Sequence, residues 1–321
     1  MSYKILSLSG GGYLGLYTIS VLEKLEEEFG RPLGQVFDLI AGTSIGGIIA
    51  LGLSSGVPAK DIRKEFEDKG EVIFPNRPLR EFVKIAGVPI SNLRKSKYSS
   101  DALRKVIQKI VGERAKIGDL STNTIIPAVN LSKGRPQVFK TPHHETFIRD
   151  KHLSVIDVAL ATSAAPTFFP IHRIGGELFA DGGLYANSPD RLALHEALHF
   201  LEQPIDQVSM LSVGTTTSNF SISNSTNTDM GVGDWMSEQL LIRVLMSAQQ
   251  ASVDDMMKHS LGDRYVRIDC EPSQAQQKGL SLDSASENAK LDLLALAEAS
   301  ARRFLVKPEL VAMLDKTEEG E

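Results

Sequence analysis

The chain opens on an apolar run at residues 3–9 that reads as a strand. It is followed by residues 14–28, where Leu16, Ile19, Leu22 and Leu25 recur every three or four positions, the spacing of one helix face. A second short apolar run at 36–41, "VFDLIA", leads into "IGGIIALGL" at 45–53, a small-residue helix ended near Gly56 and Pro58. Residues 60–68 read as a charged, exposed helix, and 100–111 as another helix. Strands are expected at 124–131, 137–141, 177–180, 208–213 and 264–269. Helices are expected at 154–164, with Ser154 as cap and Asp157 three positions on, around 235–257, and around 287–305, with Ser284 and Glu287 as a capping box. Strands alternating with helices predict an α/β fold, a three-layer α/β/α sandwich around a mainly parallel sheet, with a helical C-terminal extension.

Two stretches break the alternation. Residues 74–92, "FPNRPLREFVKIAGVPISN", carry three prolines among apolar and basic residues. They read as an excursion from the core, either packed on the sheet or serving as a cover or membrane-facing edge. Residues 215–227, "TTTSNFSISNSTN", read as a long polar loop. No linker divides the chain, so a core at 1–215 and an extension at 216–321 are expected to pack as one domain.

Composition narrows the chemistry. A 321-residue chain with 42% hydrophobic residues can bury a full core. A net charge of −5 gives no reason to expect a nucleic-acid polymer as partner. The one cysteine, Cys270, precludes an intrachain disulfide. The longest apolar stretch, 45–53, falls short of the roughly 20 residues of a membrane span, and no signal peptide is visible. A cytoplasmic protein that meets a membrane from the side is the expectation.

The glycines after the first strand spell G-x-G-x-x-G with Gly10, Gly12 and Gly15, a dinucleotide-binding fingerprint. A Rossmann site also needs an acid at the end of the second strand. Here the only acid of that strand, Asp38, stands near its start, and no Walker lysine follows the glycines. At the strand's end stands G-x-S-x-G instead: Gly42, Thr43, Ser44, Ile45, Gly46. That pattern lets a strand turn sharply into a helix with the serine exposed at the tip. Glycines on a neighbouring strand end would then offer backbone N–H groups to an oxyanion.

The serine needs a base. None of the seven histidines stands in a setting that marks it as a triad member. His195, Glu196 and His199 satisfy H-E-x-x-H literally, in "HEALH", which keeps a zinc peptidase in view although no third ligand is apparent. Asp181, in "GELFADGGLYANSP", reads by itself as a hairpin turn.

Taken together, these elements resemble the patatin-like phospholipase family over roughly residues 3–215. The glycine turn at Gly10, Gly11, Gly12 and Gly15, the elbow from Gly42 to Gly46, "ATSAAPTFFP" at 161–170, "DGG" at Asp181, Gly182 and Gly183, "ANSP" at 186–189 and "LSVGT" at 211–215 occur in the family's order. The resemblance implies a Ser–Asp dyad, with Ser44 as nucleophile and Asp181 as base, a glycine-rich oxyanion hole and no metal or other cofactor. It implies hydrolysis of acyl esters of phospholipid at the inner membrane surface. The chain departs from the family at Leu14, where many members carry Arg or Lys, which leaves the local electrostatics and the subfamily open. In size and in its helical C-terminal third it resembles compact bacterial members that act in anti-phage defence and are switched on by cyclic nucleotides. A cyclic di- or oligonucleotide activator and a homo-oligomer follow as expectations, with the basic run Arg94, Lys95, Lys97 and Tyr98 as candidate ligand contacts. The alternatives are a constitutive acyl hydrolase, an idle binding module, a nucleotide-dependent oxidoreductase and the zinc peptidase.

Overall fold

The computed structural model describes residues 2–75, 95–216, 221–236 and 240–314. The first strand, β1 (Tyr3–Leu8), pairs in parallel with β2 (Leu39–Gly42) on one side and β7 (Val208–Val213) on the other. β8 (Tyr265–Ile268) extends the parallel run beyond β7, and β3 (Asn123–Asn130) extends it beyond β2. Among the described strands of the sheet, antiparallel pairing enters around β3, from β4 (Arg135–Lys140) and from the hairpin of β5 (His172–Ile174) with β6 (Glu177–Asp181).

The alternation within β1 shows how the layers form. Leu6 and Leu8 belong to one apolar cluster and Ile5 to the other, because successive side chains point to opposite faces. The larger cluster lies under α1 (Gly15–Phe29), α2 (Ile45–Ser54), α3 (Ala59–Ile73), α4 (Ser100–Val111) and α5 (Val155–Thr162). The smaller lies under α7 (Asp190–His199) and α9 (Leu240–Leu261). The short helices α6 (Gly183–Ala186) and α8 (Val232–Met236) precede these two. The result is the α/β/α sandwich expected from the alternation. The C-terminal third adds a strand to this sheet as well as helices. After α10 (Gln274–Gln277), α11 (Glu287–Phe304) packs along α1, and α12 (Pro308–Leu314) buries Leu310, Met313 and Leu314 in the larger cluster.

Four local expectations are corrected. α3 is longer than 60–68 and is amphipathic: Ile62, Phe66, Gly70 and Ile73 form a buried stripe on one face. Ser154 stands at the N-cap of α5 but makes no capping bond with its side chain, and Asp157 bonds His172 Nε2 at 3.2 Å instead. The cap of α11 is Ser286, which accepts from the Ala289 N–H, rather than Ser284. The helix expected around 235–257 is two helices, α8 and α9. Most of the 74–92 excursion lies outside the described residues.

The shared edge of β3 positions the site. One edge of β3 carries β4 along most of its length. The other edge takes β2 against residues 123–125 and β6 against 128–130. β2 runs parallel to β3 and β6 antiparallel, so the two strands run toward each other and their C-terminal ends converge near Pro127.

Candidate active site

Ser44 follows the end of β2. The register pairs Leu8 with Gly42, so the glycine turn after β1 and the serine turn after β2 leave the sheet side by side. A Cβ on Gly42 would collide with the Gly46 carbonyl, and one on Gly46 with the carbonyls of Leu8 and Ser9. Both positions therefore admit only glycine. Ser44 itself takes φ 55 and ψ −124, a conformation that costs a non-glycine residue on the order of 1–3 kcal/mol. Its backbone N–H is held by Thr162 Oγ1 at 3.0 Å, and that hydroxyl donates to the Pro127 carbonyl at 2.6 Å.

Asp181 ends β6 and arrives from the opposite direction. Ser44 Oγ donates to Asp181 Oδ2 at 2.7 Å, while Asp181 Oδ1 accepts the Gly183 N–H at 2.7 Å. Gly182 presses on Pro127, where a Cβ would collide with the carbonyl. The Asp-Gly dipeptide is thus no hairpin turn but the junction of a strand with α6. Burial pushes the Asp181 carboxyl up to about 6, against the pull of the two hydrogen bonds it accepts. A carboxylate with that value, bonded to a serine hydroxyl, is suited to take its proton near neutral pH.

The glycine turn divides its labour. The Gly10 N–H is engaged by the Asn187 carbonyl at 2.9 Å, and the Gly15 N–H bonds back to Gly12 within the turn. Neither is free for an oxyanion, which corrects the expectation for those two positions. Gly15 is glycine for packing, since a Cβ would collide with Ile45. The N–H groups of Gly11 and Gly12 have no protein acceptor among the described residues. Gly12 adopts φ +57, and a Cβ there would collide with the Leu282 carbonyl, which also accepts the Tyr13 N–H at 2.8 Å.

Long-range bonds fix the turn, the elbow and the aspartate loop as one body. Thr43 Oγ1 donates to the Ala186 carbonyl at 2.7 Å, and Thr215 Oγ1 and Asn187 Nδ2 donate to the Gly10 carbonyl. On α9, Gln249 Oε1 accepts the Asn187 N–H at 3.2 Å. Beneath this body lies a buried polar network. Asp190 accepts from Ser7, Ser188, Ser212 and Tyr265, and Arg267 donates to Ser9, Ser212 and Asp269.

Above the serine opens an apolar cleft. Ser44 and Asp181 lie at its polar end, and Phe66, Phe74, Phe168, Phe169, Ile242 and Met246 are among its walls. Such a lining suits a hydrocarbon chain next to a reactive ester. None of the histidines lines this cleft, and none bonds Ser44 or Asp181.

The remaining expected residues fall elsewhere. Asp38 lies at the opposite end of the sheet, bonding the Lys4 N–H at 2.7 Å. Lys97 and Tyr98 both bond Asp283, and the Tyr98 ring is buried against Phe74, Phe168 and Phe169 rather than presented for base stacking. Lys95 is exposed, and Arg94 lies outside the described residues. In the H-E-x-x-H helix, Glu196 turns inward to Lys140 and His143, while the rings of His195 and His199 lie outside, tilted by 47° with centroids 4.4 Å apart. Among the described residues no group of three or more His, Cys, Asp or Glu side chains is arranged to hold a metal. Thr162, Asn187, Thr215, Gln249 and Leu282 were not singled out by sequence. "ATSAAP", "ANSP" and "LSVGT" contain three of them, but nothing in these strings says that Thr162 serves the Ser44 N–H.

A family model for patatin-like phospholipase matches residues 6–194. The chain is similar to a protein named cGAMP-activated phospholipase from Pseudomonas aeruginosa, with 41% identity over 96% of this chain and 90% of that one. It is similar to proteins of the same name from Vibrio cholerae, at 36% identity over 96% of this chain and 93% of that one, and from Escherichia coli, at 37% over 91% and 86%.

Proposed function

The chain belongs to the patatin-like phospholipase family, and from that premise we propose that it hydrolyses acyl esters of membrane phospholipid through Ser44 and Asp181. The observation that carries this reading is the 2.7 Å bond from Ser44 Oγ to Asp181 Oδ2 at the end of an apolar cleft. Asp181 takes the serine proton as Ser44 attacks the ester carbonyl. The N–H groups of Gly11 and Gly12 donate hydrogen bonds to the oxyanion, and as the intermediate collapses Asp181 gives the proton to the departing alcohol oxygen of the lysophospholipid; the regenerated Asp181 carboxylate then takes a proton from the water that attacks the acyl-enzyme, which releases the fatty acid and restores the Ser44 hydroxyl. No metal or cofactor enters this sequence of steps.

Activation by a cyclic dinucleotide is the second part of the proposal. It is supported by the name shared by three relatives that align along nearly all of this chain. The packing of Tyr98 and Lys97 argues against those two as a base-stacking platform. The enzyme acts peripherally on the inner membrane, and no helix among the described residues is long and apolar enough to cross it. Residues 1–215 carry the chemistry, while 216–321 complete the sheet and the cleft within the same domain; self-association belongs to the activated form.

The test is covalent labelling by a fluorophosphonate, followed by hydrolysis of phospholipid vesicles with and without cyclic GMP–AMP. Labelling confined to Ser44 and hydrolysis that rises with the nucleotide are expected. Labelling elsewhere removes the dyad. Full activity without the nucleotide, together with no binding by calorimetry, leaves a constitutive acyl hydrolase.

A further inference from the structure

α9 changes character along its length. Its first seven residues, "LLIRVLM" at 240–246, are apolar on nearly every side, with Arg243 the exception. From Ser247 onward the helix is polar and is tied to the body of the protein. Gln249 bonds Asn187, Gln250 is buried, and Met257 and Leu261 join the smaller apolar cluster. The apolar part is not buried to match. Ile242, Leu245 and Met246 line the cleft, yet Leu245 is 44% exposed, and Leu241, one turn earlier on the same stripe, is 42% exposed. Across the mouth Leu184 lines the cleft and is 44% exposed. α8 packs against α9 and presents Val232, 82% exposed, and Trp235, 37% exposed. Among the described residues the apolar wall of the cleft therefore continues outward through Leu245 and Leu241 onto the outer surface.

We infer that this face, formed by Val232, Trp235, Leu241 and Leu245 with Leu184 opposite, seats the cleft mouth in a lipid bilayer. The inference rests on the phospholipase reading above. The occupant follows from continuity: a surface that runs unbroken into an acyl-lined cleft lets a hydrocarbon chain pass from membrane to Ser44 without crossing water. Interfacial helices bury their apolar faces by roughly 5–10 Å. The polar part of α9, anchored by Gln249, then stays above the surface. Trp235, the only tryptophan of the chain, is on α8, which packs against α9, and is part of the exposed face, and amphipathic indole rings favour the membrane interface.

That single tryptophan makes the test direct. Its emission is recorded as the full chain, with and without cyclic GMP–AMP, is titrated with vesicles of phosphatidylethanolamine and phosphatidylglycerol. A parallel titration uses phosphatidylcholine brominated on its acyl chains. A blue shift and quenching by the brominated lipid are expected. Val232→Asp with Leu241→Asp, neither of which lines the cleft, should cut vesicle association and vesicle hydrolysis roughly tenfold or more. Hydrolysis of dispersed p-nitrophenyl butyrate and the melting temperature should stay unchanged. No response of Trp235 under either condition overturns the inference, whatever becomes of vesicle hydrolysis. So does a pair of substitutions that abolishes self-association in sedimentation while vesicle binding persists, since the face is then an interface between copies. A Trp235 response with neither substrate hydrolysed keeps the docking face and removes the phospholipase reading.

Discussion

Two stretches of this chain match catalytic motifs equally well on paper, and folding treats them in opposite ways. G-T-S-I-G at the end of β2 is completed by a residue 137 positions away, because β2 and β6 run toward each other along one edge of β3. H-E-A-L-H in α7 is contained within five residues, and the helix takes it apart. Positions four apart share a face, so His195 and His199 lie side by side outside, whereas Glu196 is turned about 100° from His195 and points inward. There it is consumed by Lys140 at 2.6 Å and His143 at 2.9 Å. Burial and the neighbouring His199 push the His195 imidazole below its ordinary value. A motif is thus a claim about neighbours, and only long-range structure supplies or withholds them.

The contrast breaks or holds by substitution. Ser44→Ala should lower phospholipid hydrolysis by a factor on the order of 10⁴ or more, with an unchanged melting temperature. Asp181→Asn should be nearly as severe, because an amide cannot accept the serine proton. Retention of more than a tenth of the activity by either variant would dissolve the distinction between the two motifs.

A pH profile sharpens it. Asp181 works as a base only when ionised. With its carboxyl raised to about 6, kcat/KM should fall about tenfold per pH unit below that value and level off above it. Asp181→Glu should move the limb, whereas substitutions of His195 or His199 should leave it in place.

Smaller effects follow outward from the dyad. Thr162→Val leaves the Ser44 N–H without its acceptor and should cost roughly tenfold in kcat, with KM changed less. Glu196→Gln should destabilise the fold by roughly 3 kcal/mol, by leaving Lys140 half-buried without its counter-charge, and should leave kcat alone. The smallest effect is expected from His195→Ala with His199→Ala, less than about twofold in activity with or without a chelator present.

Much of this was legible before the structure, for identifiable reasons. β1, β2 and α2 are short, strongly apolar and punctuated by glycines, so pattern alone placed them within a few residues. The order of the glycine turn, elbow and "DGG" named Ser44 and Asp181. Pairs remote in sequence were not legible. Nothing local distinguishes Thr162 from any threonine near a helix end, or tells which glycine N–H is consumed by Asn187. Caps failed where serines were plentiful: Ser284 and Ser286 are equally plausible in "DSASEN", and only the backbone chose between them. α3 was read as exposed because its charges outnumber its apolar residues, although Ile62, Phe66 and Ile73 suffice for a buried stripe.

The carbonyl of Leu282 lies against Gly12 and holds the Tyr13 N–H, so two stretches 270 positions apart close the same turn. Synthesis proceeds from the N-terminus, and contacts of such span form late. A chain still on the ribosome after its first two hundred residues holds Ser44 and Asp181, yet lacks β8, α9 and the segment that seals the glycine turn. Ser44 and Asp181 are therefore made before the segment that closes the glycine turn beside them.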